Sequence, residues 1–451
     1  MKIRNTVFIA LLVTLLSSCS LFPISSSEPP FINSSGSSEE IKNTFTERIE
    51  NMVSTGKMPR PVDANTPEVA SYDEEAVLGS AAHPLLDQVS SEYLEIIAFE
   101  QPEQYGDAFL IKAGNAEIIV DFGNPADFDF DDSTLYKNYL KDQYNTWITD
   151  QKVELMIISH PHSDHIGGLD GFLASDVRSI GMLVDYGYRY GYNDNAYYNN
   201  IRSKMSSRWH GVYHSAYDSV NNLNGALSRT YVTQELFIDW IDTGFYQANP
   251  DLNYTNLKYL GEKIEDLNIT SVVGILNYKS FSFMLTGDMQ NSTSYGSIDG
   301  ETIMTEAHTS DPLFHQVTML KVGHHGSTNA TYAPLLSKIR PTLGVISAGR
   351  VDSSNSYGNK TGACSGHPHI QTLSRLKNAN VKTYLNSASG TLHFVTNGSL
   401  VDPIYFIGAP LKSSLIGGQN GYSNSLNSPY GSTLDIDKDL WSSTFYNRCH
   451  A

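Results

Sequence analysis

The stretch "IISHPHSDHIGG", Ile157 to Gly168, places three histidines and an aspartate within six positions, directly after an apolar run. Imidazole nitrogens and carboxylate oxygens are ligands of zinc and related divalent ions, and a catalytic site of that kind keeps a position open for water. His160, His162, Asp164 and His165 stand where the strand "VELMIISH" stops, on a loop free to turn several side chains toward one point. His160 and His162 alternate toward one side, and Asp164 and His165 reach a second position beside it. Two adjacent metals are the economical reading. Two histidines two apart are a weak pattern; the four-ligand cluster followed by Ile166-Gly167-Gly168 is a specific one.

Upstream, "YLEIIAFEQ", "DAFLIKAG" and "AEIIVDFG" are apolar, β-branched runs separated by turn residues, the last two joined through Gly114-Asn115, which predicts a strand meander. Downstream come a short helix, "GGLDGFLAS", and the strand "SIGMLVDYG". From about 186 to 260 a polar, Tyr- and Asn-rich region breaks the alternation and reads as an insertion. The strand pattern resumes with "TSVVGILNY" and its hairpin partner "FSFMLTGD", then "VTMLKVGHHGS", a helix in "APLLSKI", "LGVISAG", a helix in "HIQTLSRLKNA", "VKTYLN" and "GTLHFVTNG". Strands and helices interleave in two blocks. That predicts an α/β fold of two sheets packed face to face with helices outside.

The chain of 451 residues is 40% hydrophobic and 11% aromatic, enough for one large or two ordinary globular domains. Its first residues, "MKIRNTVFIALLVTLLSSCS", combine a basic start with an apolar stretch shorter than the roughly 20 residues of a bilayer-crossing helix, which predicts a secretory signal. Leu16-Ser17-Ser18-Cys19 resembles the lipobox of bacterial lipoproteins. That resemblance implies a signal over 1–18 and a product lipidated at Cys19, anchored to a membrane outside the cytoplasm. Residues 19–90 are rich in Ser, Pro and acids and read as a flexible tether. The body is expected over 91–402, with an uninformative tail over 403–451. With Cys19 lipidated, Cys364 and Cys449 could pair in an oxidising compartment or remain free thiols. The formal net charge is -18, of which -13 falls on 91–451. A field of that sign repels long polyanions and counts against a nuclease lacking a local basic strip.

The His-x-His-x-Asp-His run at 160–165 resembles the signature of the metallo-β-lactamase superfamily, and its other pieces follow in family order. "GDAFLI" (Gly106, Asp107) and "IIVDFG" (Asp121, Gly123) match the opening strands, "MLTGDM" offers Asp288, and "LKVGHHGS" supplies a closing histidine. With "GHPHIQTLSRL", the set is similar to the soluble hydrolase domain of ComEC-type competence proteins. The resemblance implies an αββα sandwich, two mixed sheets with helices on the outer faces. It implies one or two divalent ions, zinc or alternatively manganese. His160 and His162 would hold one, Asp164 and His165 the other, with Asp288 touching both and His325 closing the site. His324 would then be a proton donor or substrate contact, Asp107 and Asp121 supporting residues behind the ligands, and Asp164 an aligner of the attacking hydroxide. His367 could protonate the leaving group or grip a phosphate oxygen, or simply begin a helix. The extra histidine that many members add to the first metal is not assignable; Asp185, His210 and His214 are the candidates.

The expected function is extracytoplasmic, metal-dependent phosphodiester hydrolysis, in which a metal-bound hydroxide attacks phosphorus. A surface polymer, a phosphocholine-type ester and nucleic acid all suit it as substrate; no protein partner is inferred. The competing readings are a lactam or lactone hydrolase and a non-catalytic surface binder on the same fold. Tyr186 and Tyr188, with Tyr190, Tyr192, Tyr197 and Tyr198, could stack on a substrate or serve only as packing. Lys321 and Arg350 are expected as phosphate contacts on the family pattern.

Overall fold

A computed structural model describes residues 93–101, 105–124, 134–190, 197–248, 254–292, 298–348, 367–385, 391–399 and 405–408. The signal, the tether, Cys19, Arg350, Cys364, Cys449 and residues 409–451 lie outside the described residues.

Two mixed sheets face each other. Across the first, in spatial order, run Tyr405–Gly408, Leu392–Thr396, Leu94–Ala98, Phe109–Ala113, Ala116–Val120, Lys152–Ile157, Ser179–Asp185 and Val212–Ser215. Its first five strands pair antiparallel, including the hairpin turned at Gly114, and the rest pair parallel. The second sheet runs Lys382–Leu385, Leu343–Ile346, Met319–Lys321, Phe281–Leu285, Val273–Tyr278, Leu236–Ile241 and Arg229–Tyr231, parallel at the first end and antiparallel at the other. Val273–Tyr278 and Phe281–Leu285 are buried at every position, as strands covered on both faces must be. The sheets meet through contacts such as Phe109 edge-on to Phe283, with ring centroids 6.2 Å apart. Outside the first sheet the helix Thr134–Trp147 packs on the helix Leu169–Leu173, where Tyr144 meets Phe172 edge-on. No helix among the described residues is long and apolar enough to cross a membrane.

Two expectations need correction. The segment read as an insertion supplies Val212–Ser215 to the edge of the first sheet, and Leu236–Ile241 pairs through all six residues with Val273–Tyr278 inside the second. Its apolar run "LFIDWI" is a strand pattern embedded in polar surroundings, and the flanking Tyr and Asn composition masks it. Tyr405–Gly408, within the expected tail, adds an edge strand to Leu392–Thr396.

The parallel halves place several strand ends side by side. Asp121 follows Val120, His160 lies three residues beyond Ile157, Asp288 three beyond Leu285, His325 four beyond Lys321, and Ser347 follows Ile346. The carboxyl ends of parallel strands are where side chains from separate elements can face one space.

Candidate metal centre

Asp121 turns out of its strand with φ 56, and its carboxylate accepts from the Ser159 backbone N–H (2.8 Å), the Ser159 hydroxyl (2.6 Å) and the Nδ1–H of His165 (2.7 Å). One side chain thereby orients the first histidine loop. Behind that loop the packing is tight: a Cβ on Gly168 would lie 2.1 Å from the Phe122 carbonyl oxygen, which explains a glycine in the "HIGG" run. The second histidine loop is held differently. His324 and His325 both adopt left-handed backbone, φ 47 and 51, which costs about 1–2 kcal/mol each for residues with a Cβ. Distant groups hold it there. Glu301 accepts from the N–H groups of Thr331 and Tyr332 (2.6 and 2.7 Å), and Arg375 donates to the carbonyls of Thr328, Ala330 and Thr331.

With Nδ1 of His165 given to Asp121 and Nδ1–H of His325 donated to the Ser347 carbonyl (2.8 Å), both rings turn Nε2 inward. Both Nε2 atoms lie 3.2 Å from Oδ2 of Asp288, and both are buried with no hydrogen-bond partner. Asp164 Oδ2 is 3.3 Å from Nε2 of His325 and 3.9 Å from that of His165. On the neighbouring side, His160 Nε2 lies 3.8 Å from Asp288 Oδ2 and 3.0 Å from His162 Nδ1. Asp107, His165, Asp288 and His325 each offer a donor atom within 4.8 Å of the others. Asp107, however, lies toward the Nδ1 side of His325 (3.4 Å) and is ion-paired with Lys321, so Asp164 is the better fourth donor beside the inward nitrogens. Buried donors left unsatisfied require an explanation, and a divalent ion shared by carboxylate oxygens and imidazoles supplies one.

The electrostatics agree. Asp107, Asp121, Asp164 and Asp288 are all buried in one cluster. Burial works against protonation of His165, but Asp288, Asp121 and Asp164 override it and push the ring up to about 10. Burial likewise opposes a charged His325, and Asp288 and Asp107 raise it well above the ordinary range. Burial would raise Asp288, yet His325, His165 and Lys321 hold it well below the usual carboxylate range. Protons thus gather where a metal cation would sit, and binding such an ion must release them. His160, by contrast, is kept well below its ordinary value by burial and then by His165 and His162.

His324 and His367 line the approach. His324 donates Nδ1–H to Asn329 Oδ1 (3.2 Å), and its Nε2 lies 3.3 Å from Asn268 Nδ2 and 3.9 Å from Asp288 Oδ2. The His367 ring is 5.0 Å from that of His324 and packs against Tyr105, which in turn stacks on His325. Burial lowers both imidazoles; for His367 the neighbouring His324, His325 and His369 lower it further, well below its ordinary value. Both are neutral N–H carriers at neutral pH.

Three expectations are not met by the structure. Lys321 is 1% exposed: its ammonium donates to the Gly287 carbonyl (2.7 Å) and is paired with Asp107 and with Asp288 Oδ1 (3.3 Å), so it cannot reach a substrate phosphate. Tyr186 and Tyr188 are 0% and 1% exposed, Tyr188 bonded through its hydroxyl to Thr270 Oγ1 (2.6 Å). They are packing, and do not line the site mouth. Asp185 is taken by Arg202 and by the hydroxyls of Tyr197 and Tyr213, and neither it nor His210 or His214 belongs to the ligand group. Asn268, Gln290, Asn329, Glu301 and Ser271 carry no motif signal; Ser271, which accepts from the Asp288 N–H, becomes visible only through the fold.

The family model for the metallo-beta-lactamase superfamily matches residues 102–199. Among curated proteins, ComE operon protein 3 of Bacillus subtilis (strain 168) is 26% identical over 127 residues, 28% of this chain and 14% of that protein. The chain therefore matches only about a seventh of that relative's length. Among solved structures, the metallo-beta-lactamase fold protein YhfI from Bacillus subtilis is 11% identical, with TM-score 0.31, over 65% of this chain and 86% of that one. The short form of human tRNase Z is 12% identical, with TM-score 0.30, over 64% and 91%.

Proposed function

We propose, from the match of the metallo-beta-lactamase superfamily model to residues 102–199, that the chain is a metal-dependent phosphodiesterase acting outside the cytoplasm. The observation that carries the reading is the pair of buried, unpartnered Nε2 atoms of His165 and His325, each 3.2 Å from Asp288 Oδ2. Divalent zinc or manganese held by these atoms and Asp164, with His160 and His162 beside them, would activate water and stabilise charge on attacking and leaving oxygens. Asp288 is fixed by Lys321 at Oδ1 and by Ser271 at its backbone N–H, so Oδ2 alone faces the imidazoles. Asp164, held down to about 2 because His165 and His325 outweigh the effect of burial, stays ionised to orient the nucleophile. His367, a neutral imidazole beside the cluster, offers an N–H group to a phosphoryl or leaving-group oxygen, while His324, whose own N–H is held by Asn329, turns its other nitrogen toward Asn268. A phosphodiester presents non-bridging oxygens to such a donor, which favours phosphorus over a carbonyl centre.

Placement outside the cytoplasm, through a lipid on Cys19, is supported by the composition of residues 1–19; a Cys19→Ser chain recovered in the membrane fraction as fully as the parent would contradict it. For the reaction, the test is manganese- and zinc-dependent hydrolysis of bis(p-nitrophenyl) phosphate by the full chain beside Asp288→Asn. Hydrolysis by the parent and at least a ~1,000-fold loss in the variant is expected. No phosphodiester hydrolysis by the metal-loaded parent would overturn the proposal.

A further inference from the structure

The chain leaves the strand Ser179–Asp185 and bends at Gly187, φ 81. The tyrosines on either side of that bend are fixed in the interior. Tyr186 packs on Tyr188 and Tyr197 with the Arg202 guanidinium 4.7 Å from its ring centre, and Tyr188 is tied to Thr270. The next tyrosine, Tyr190, is only half-buried, and its ring meets that of His162 edge-on with centroids 6.0 Å apart. A second half-buried ring, Tyr254, lies 5.3 Å from Tyr190 and is pinned to the same segment by its backbone N–H, which donates to the Arg189 carbonyl (2.8 Å). A rigid, buried base thus sets two tyrosines at the edge of the metal centre, beside His162.

We propose that Tyr190 and Tyr254 form a subsite for a planar aromatic ring, a nucleobase or an aryl group, carried on one ester arm of the substrate. The inference rests on the phosphodiesterase reading and names the class of diester it takes. The chemistry is that of ring on ring: an offset or edge-on contact with a tyrosine pair gains more than an alkyl arm of similar reach, and a stacked base contributes roughly five- to hundredfold in binding. Charge points the same way. Residues 91–451 carry a net charge of -13, so recognition through many backbone phosphates is disfavoured, whereas an uncharged ring next to the scissile group is not opposed by that field.

The test uses the full chain with manganese and three diesters sharing one leaving group: the p-nitrophenyl phosphates of thymidine (5′-linked), of phenol and of methanol. The expected result is a kcat/KM for the thymidine or phenyl ester at least about fivefold above that for the methyl ester, expressed mainly in KM. Tyr190→Leu and Tyr254→Leu should each shrink that ratio severalfold, and Tyr190→Phe should keep it. Which ring is preferred distinguishes a nucleobase from an aryl group. Equal rates on all three esters, or variants that lower all three in proportion, would overturn the subsite and leave the reaction standing. If no ester is cleaved, binding of thymidine 5′-monophosphate and methyl phosphate by calorimetry decides the matter. Tighter nucleotide binding, lost in Tyr190→Leu, would keep the subsite and overturn the reaction; equal binding would overturn both.

Discussion

The two histidine loops are built by opposite means. The loop of His160, His162 and His165 follows a strand directly, and its support touches the ligand loop itself: Ser159, the adjacent residue, and Asp121, which follows the neighbouring strand. The loop of His324 and His325 begins in two left-handed residues, and its conformation is imposed from afar, by Glu301 and by Arg375. One loop is made by its own residues and one strand neighbour; the other is made by a scaffold that forces it. Substitutions should therefore act on the first loop through chemistry and on the second through stability.

Among the residues that hold the two loops, the largest effect is expected at Asp121. Asp121→Ala removes the acceptor that sets the His165 ring, and kcat/KM should fall by about 100-fold with metal affinity falling alongside, as measured by steady-state kinetics and competition with a chelator. If activity survives within a few-fold, the local account of the first loop is wrong. Arg375→Met strips three carbonyls of a charged donor and should cost about 2–3 kcal/mol in denaturant unfolding. A loss of activity without a loss of stability would break the contrast.

Glu301 gives the contrast a pH signature. Burial raises its carboxyl from 4.5 to about 7, although the N–H groups of Tyr332 and Thr331 pull the other way. The folded chain then binds a proton that the unfolded chain has released, so this group's contribution to stability falls as pH rises through that window. Between about pH 5 and about pH 7 the decline should be about 2 kcal/mol, and Glu301→Gln should flatten it, as seen in urea unfolding at several pH values. The smallest effect belongs to Asn329→Ala, which frees His324 Nδ1 and should lower kcat/KM about fivefold, with the pH profile of the remaining activity shifted.

The same asymmetry explains what the sequence disclosed. His160, His162, Asp164 and His165 were readable because their spacing is local and their chemistry is in their side chains. The strands ending at Asp121, Asp288 and the His324-His325 pair were readable as alternating runs closed by a motif. Lys321 was misread because a lysine next to a motif looks like a phosphate contact, and only the third dimension shows Asp107 and Asp288 closing on it. Tyr186 and Tyr188 looked like a mouth because composition carries no depth; the bend at Gly187 decides that Tyr190 and not its neighbours reaches His162. Nothing in the motif marks Glu301, Arg375 or Asn329, since their role depends on contacts 5 to 47 positions away.

The most direct test of the metal centre is the metal content of the purified full chain, dialysed against trace zinc or manganese and read by elemental mass spectrometry, beside Asp288→Asn and the double variant His165→Ala/His325→Ala. The account predicts one to two equivalents per chain in the parent, bound with release of protons, and a marked loss in both variants while they remain folded. A parent that holds no more metal than the double variant would contradict it.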